Sequence, residues 1–172
     1  MFFRTTSAHE FVDSLRLLET TSDGWEKTFL DERTGERWRE YLPYLDDRSP
    51  TELRRDPLPN DLRTLIKACL VSPEPEDWCG LGAYLSGRFP AESIAPVLRE
   101  LAPFLPLAAL DRFGRCYRAH DQRDLVGMDW VAVQESYRRF RAALEEIASL
   151  THQVRRSSLT ADGEPTDAMD SR

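Results

Sequence analysis

Leu62-Arg63-Thr64-Leu65-Ile66-Lys67-Ala68-Cys69 and Ile94-Ala95-Pro96-Val97-Leu98-Arg99-Glu100-Leu101 place apolar residues at the same four positions, 32 residues apart. The correspondence continues: Trp78, Leu81, Gly82 and Leu85 are matched by Leu110, Phe113, Gly114 and Tyr117. Spacing of i, i+3, i+4, i+7 gathers such side chains on one face of an α-helix. The stretch from Pro59 to Arg118 therefore reads as one helical hairpin written twice. A glycine on the apolar side of each second helix costs helix propensity, and close approach of a neighbouring helix explains it.

On the C-terminal side, Asp129 is placed to cap a long helix over about 129–152. Trp130, Val133, Tyr137, Phe140, Leu144, Ile147 and Thr151 recur at alternating steps of three and four, a heptad seam. Beyond His152 periodicity stops, and residues 153–172 are expected to be disordered. On the N-terminal side, Ser7-Ala8-His9-Glu10 has the form of a capping box, and Phe11, Leu15 and Leu18 predict a first helix from about Ala8 to Thr20. Residues 25–42 predict a β-hairpin around Asp31-Glu32-Arg33-Thr34-Gly35-Glu36, in which Gly35 supplies the positive φ of a bulged turn. Two strands alone are marginal in water, so the hairpin must lean on helices or recruit a third strand. Ser49-Pro50-Thr51-Glu52, a second capping-box pattern, predicts one helical turn inside the connector.

These readings add up to one mainly α domain over residues 1–152. Stacked antiparallel helical hairpins, a short HEAT-like repeat, carry a small N-terminal β-hairpin. Two repeats bury their apolar faces only against neighbours, so the long helix is expected to close one end of the stack and the first helix with its hairpin the other.

Twenty-three Lys and Arg stand against 30 Asp and Glu, a net charge of -7. That balance argues against sequence-independent binding of nucleic acid or an anionic membrane, and points to a basic partner if attraction is electrostatic. Cys69, Cys79 and Cys116 show no paired spacing and are expected to be buried free thiols in a reducing compartment. Met1-Phe2-Phe3-Arg4 leads straight into polar residues, and prolines interrupt the run Leu101 to Leu110, so a cytoplasmic protein is expected.

No residue set announces catalysis. His120-Asp121 with Asp124 lacks the further ligands a metal phosphohydrolase needs. Cys116 and His120, four apart, have the spacing of half a metal clip, with no second pair to complete it. Gly80-Leu81-Gly82 has no preceding strand and no third glycine. Serine or cysteine nucleophiles have no evident histidine partner. A non-enzyme with no cofactor and no metal is expected. What remains is surface for recognition: Tyr41, Tyr44, Asp46 and Asp47 lie close together in the connector, and Ser72-Pro73-Glu74-Pro75-Glu76-Asp77 makes a rigid acidic turn. Aromatic residues beside carboxylates suit a basic protein surface, so Tyr41, Tyr44, Asp46, Asp47, Glu74, Glu76 and Asp77 are the candidate partner-binding residues.

Trp25-Glu26-Lys27-Thr28-Phe29-Leu30-Asp31, followed by Thr34-Gly35-Glu36-Arg37-Trp38, resembles the aromatic-flanked D-x-x-T-G-x-x-W hairpin of some small bacterial immunity proteins of polymorphic toxin systems. The resemblance covers residues 25–38. It implies a cytoplasmic, non-enzymatic protein that binds and blocks a cognate toxin, often a basic nuclease, and it assigns no binding residues. The alternative expectation is a scaffold or oligomerisation subunit that uses the heptad helix over 130–151 for self-association.

Overall fold

The centre of the N-terminal half is a five-stranded antiparallel sheet rather than a small hairpin. In the computed structural model, which describes residues 1–5, 9–22, 24, 26–41, 51–119, 121 and 123–152, the strands are β1 (Phe3–Thr5), β2 (Arg16–Thr20), β3 (Lys27–Leu30), β4 (Arg37–Tyr41) and β5 (Glu52–Asp56). Their spatial order is β1-β5-β4-β3-β2. Opposed residues share a face in antiparallel pairs, so the registers Phe29 to Trp38 and Glu40 to Leu53 define one face and Phe3 to Arg54 and Tyr41 to Glu52 the other. On the first face a short helix α1 (His9–Asp13) and Leu15 set Phe11, Val12 and Leu15 over Phe29, Trp38 and Leu53. On the second, Phe3 and Tyr41 join the main core formed with the helices.

The expected stack of helical hairpins is therefore incorrect as an architecture. The predicted first helix over 8–20 is the largest local error: among its described residues only His9–Asp13 is helical, and Arg16–Thr20 is an edge strand. Leu17 and Leu18 are good helix formers, yet pairing with β3 through a bulge between Leu17 and Glu19 overrides that preference. The helical turn expected at 49–52 also fails where it can be seen, because Glu52 opens β5. Residues 6–8, 42–50 and the expected tail at 153–172 lie outside the described residues.

The hairpin of β3 and β4 has a clear physical basis. The Asp31 carboxylate accepts from the backbone N–H of Arg33 at 2.9 Å and of Thr34, and Gly35 sits at φ +74°. The hydrogen bonds to Thr34 and to the Arg33 backbone lower the Asp31 pKa against the opposing effect of burial, which is the largest single influence.

Among the described residues five further α-helices follow the sheet: α2 (Leu62–Val71), α3 (Pro75–Ser86), α4 (Ala91–Leu101), α5 (Leu107–Cys116) and α6 (Trp130–Thr151). Asp61 and Asp129 cap α2 and α6, each accepting a backbone N–H at 2.8 Å. The duplicated pattern does mark two helix pairs, but the pairs do not repeat their packing. α3 lies chiefly on α5 and also meets β1, whereas α4 lies chiefly on α6. The paired glycines mark the close approaches. A Cβ at Gly82 falls 2.6 Å from the backbone oxygen of Phe113 in α5, and one at Gly114 falls 2.5 Å from Thr151 in α6.

That approach also overturns the expectation of three free thiols. Cys79, one turn before Gly82, is bonded to Cys116 across the α3–α5 contact, with Cα atoms 5.2 Å apart. A sequence separation of 37 leaves no local spacing to read. Cys69 stays free and buried, and burial pushes its thiol pKa up.

At Gly82 the obstructing atom is backbone, which cannot rotate away as a side chain can. Gly82→Ala should therefore lower unfolding stability by about 2–3 kcal/mol, read as a reduced urea midpoint at unchanged m-value. Gly35→Ala, which meets no atom within 4 Å, should cost only about 1 kcal/mol through its positive φ.

Candidate functional site

At one end of the sheet, β4 finishes at Tyr41 and β5 begins at Glu52, opposite it in register. Tyr41 is 1% exposed. Its ring meets Phe3 and Tyr84 edge-on, at centroid separations of 6.3 and 5.6 Å. The Arg88 guanidinium lies over both tyrosines, 5.0 Å from the Tyr41 centroid and 4.7 Å from that of Tyr84. The Tyr41 hydroxyl donates to Glu52 Oε2 at 3.2 Å. Burial first, and then the Glu52 charge, hold that hydroxyl pKa well above its usual value.

Glu52 is the electrostatic link from this end of the sheet to α3. Burial raises its carboxyl pKa, the hydrogen bond from Tyr41 works against that, and the negative charge of Glu76 raises it further. Glu76, in the first turn of α3, is exposed, and Glu74 at the N-cap is half-buried. Carboxylates at this position face the positive end of the helix dipole. Glu52 and Glu76 thus make an acidic corner where sheet and helix meet, and Glu74 precedes it at the α3 N-cap.

The sequence-level candidates divide accordingly. Tyr41 and Glu76 do come to one corner, with Tyr41 as a buried anchor rather than a contact surface. Tyr44, Asp46 and Asp47 belong to the connector over 42–50 and lie outside the described residues. Asp77 has a different task. Fully buried, its carboxylate accepts the backbone N–H of Phe3 at 2.8 Å, that of Phe2, and the Ser72 hydroxyl. It ties β1 to α3 and cannot meet a partner. Glu52 was missed as a site residue because in the sequence it completes a capping-box pattern; only its register opposite Tyr41 identifies it.

The metal clip considered for Cys116 and His120 has lost its thiolate, since Cys116 is bonded to Cys79; His120 lies outside the described residues. Among the described residues no group of three His, Cys, Asp or Glu side chains could hold a metal ion. Nor is any described helix long and apolar enough to cross a membrane. Comparison with protein-family models, with curated proteins and with solved structures finds no match.

The electrostatics of Glu52 has a measurable consequence. Its folded-state pKa lies above the ordinary value of 4.5, so the folded chain holds this proton more tightly than the unfolded one. The contribution to stability is complete below the ordinary glutamate value and is lost as pH rises through the raised one. Glu52→Gln should remove that component, flattening the dependence of the urea midpoint on pH above the ordinary glutamate value and leaving the variant the more stable protein at neutral pH.

Proposed function

We propose that this chain is a non-enzymatic protein-binding protein, an immunity protein that neutralises a cognate bacterial toxin by occlusion. The observation that carries the reading is the meeting of Glu52 and Glu76 at one corner of the molecule, with Glu74 two residues before Glu76 at the N-cap of α3. The connector that joins β4 to β5 contributes Tyr44, Asp46 and Asp47 to the same stretch of chain. A net charge of -7 supplies long-range attraction for a basic partner, and a local acidic corner orients it.

The hairpin resemblance to immunity proteins supports the same reading. Its residues serve the scaffold here: Asp31 and Gly35 shape the turn, and Trp38 is 2% exposed in the core beneath α1. Occlusion needs no chemistry from the inhibitor, only a rigid surface of the right charge covering the toxin's working face. Tyr41, pinned among Phe3, Tyr84 and Arg88, keeps this corner rigid.

The reading places the protein in the cytoplasm. The Cys79–Cys116 bridge favours an oxidising compartment instead. Rapid thiol alkylation in host cells separates the two: a reducing compartment labels three cysteines, an oxidising one labels Cys69 alone after unfolding.

The partner is tested by mass spectrometry of what co-purifies from the native host, with emphasis on the product of the adjacent gene. Glu74→Lys with Glu76→Lys should slow association with that partner by about tenfold at low salt and reduce its salt dependence, while lowering the melting temperature by only the few degrees that two reversed charges at a helix N-terminus cost. Wild-type rates and salt dependence in the double variant would remove the acidic corner from the interface.

A further inference from the structure

Helix α2 turns one stripe of side chains into the core and another away from it. Leu65, Ile66, Cys69 and Leu70 are buried, whereas Thr64, Lys67 and Val71 are exposed and Ala68 is half-buried between them. The outward stripe is not bare surface. Together with Phe2, just ahead of β1, and with Ser72 and Pro73 past the end of the helix, it lines an open cleft of about 760 Å³. One buried group fixes two of these walls from behind, because Asp77 accepts both the backbone N–H of Phe2 and the Ser72 hydroxyl. A cleft of this size, held open by the fold, can receive a small organic ligand.

Polarity is graded along the cleft. Arg63 and Lys67 stand towards the start of α2, whereas Ala68, Val71 and Pro73 stand towards its end, with Val71 56% exposed. Of the cationic groups at the cleft, Lys67 is the one without a carboxylate. The Met1 amino group lies 3.9 Å from Asp77, and Arg63 bonds to Glu100. Lys67 is exposed and forms no ion pair among the described residues, in a chain whose net charge is -7. Neighbouring acids are directed elsewhere. Asp61 caps α2 by accepting the Thr64 N–H at 2.8 Å, and Glu74 and Glu76 follow Pro73, beyond the apolar end.

We infer that this cleft binds an amphiphile with a carboxylate head group and an apolar chain. The carboxylate meets the Lys67 ammonium beside Arg63, and the chain runs along Ala68 and Val71 towards Pro73, against Phe2. The small side chain of Ala68 lets the ligand lie close to the helix. The opposite orientation sets the carboxylate next to Glu74 and Glu76, and a cationic amphiphile meets Lys67 with the wrong sign. From Arg63 to Val71 the helix rises about 12 Å, a length that suits a medium-length alkyl chain. Burial of the chain supplies most of the affinity, and Lys67 selects the head group. The inference is independent of the protein-binding reading, since neither Lys67 nor Val71 belongs to the acidic corner.

Lys27 and Lys67 are the only lysines of the chain, which makes amine chemistry a site-specific readout. Lys27, paired with Glu40 at 3.1 Å on the sheet, is the internal control. The full chain is titrated by calorimetry with sodium decanoate and with decylammonium chloride, each below its micelle concentration, and acetylation of each lysine is followed by mass spectrometry. Decanoate should bind once per chain with a Kd of about 100 μM. At about ten times that concentration it should slow acetylation of Lys67 by about tenfold and leave Lys27 unchanged, and decylammonium should protect neither. Lys67→Met, which keeps the apolar stem and removes the charge, should weaken decanoate binding by about fivefold or more. Val71→Gln, at the apolar end, should weaken it by a similar factor, and both variants should keep the wild-type circular dichroism spectrum. Failure of decanoate to bind below its micelle concentration overturns the inference. So does equal binding of decylammonium, or decanoate binding that neither protects Lys67 nor responds to Lys67→Met.

Discussion

Helix α3 meets the sheet on one side and α5 on the other, and both contacts require an approach to the α3 backbone that a Cβ would block. Gly80 receives Phe3, since a Cβ there falls 2.3 Å from the Cβ of Phe3. Gly82 receives the α5 backbone at Phe113 and Cys116. The buried polar groups on α3 complete the same contacts. Asp77 accepts the amides that open β1, and Ser86 Oγ accepts the Arg118 N–H at 2.8 Å while donating to the Gly82 carbonyl. A buried acceptor stays stable only while its donors remain in place, so these bonds set register as well as adding stability. The Cys79–Cys116 bridge adds a covalent link at the same contact.

The sheet divides its two faces unequally. One is closed by α1 over a small cluster of Phe29, Trp38 and Leu53. The other meets the helices only around Phe3 and Tyr41, and elsewhere carries charges that satisfy one another: Arg39 and Arg54 both reach Asp56, at 3.4 and 3.2 Å, and Arg39 also faces Glu26. Ion pairs as exposed as these contribute little to stability. They do let β5 sit between β1 and β4 while presenting a single apolar side chain, Leu53, to a core.

The same economy produces the acidic corner. Tyr41 reaches the helical core and draws Glu52 with it, because the two are opposed in register. Glu76 approaches from α3, whose position depends on Asp77 and Gly80. The neighbouring residues Glu76 and Asp77 therefore do opposite work. One faces solvent and raises the Glu52 pKa; the other is buried and holds β1. Charge alone does not separate them, but the direction each takes from the first turn of α3 does.

Helical periodicity, caps and turn chemistry are local, and they were legible without coordinates. The helices built on Leu62 to Cys69 and Ile94 to Leu101, the capped helix after Asp129, and the turn around Asp31 and Gly35 all rest on neighbours in sequence. The two glycines pointed correctly to close helix approaches for the same reason, since only a missing side chain permits them. Strand partnership is not local. Phe3–Thr5 is too short to show a period, and Glu52–Asp56 reads as a polar connector until β1 and β4 flank it. Arg16–Thr20 follows helix-forming preferences until β3 offers hydrogen bonds to its backbone. The pairing of Cys79 with Cys116, the burial of Asp77 and the meeting of Glu52 with Glu76 likewise depend on contacts between distant segments. Only the tertiary structure could decide them, because side-chain chemistry specifies which partners a residue can accept, and packing determines which of those partners it meets.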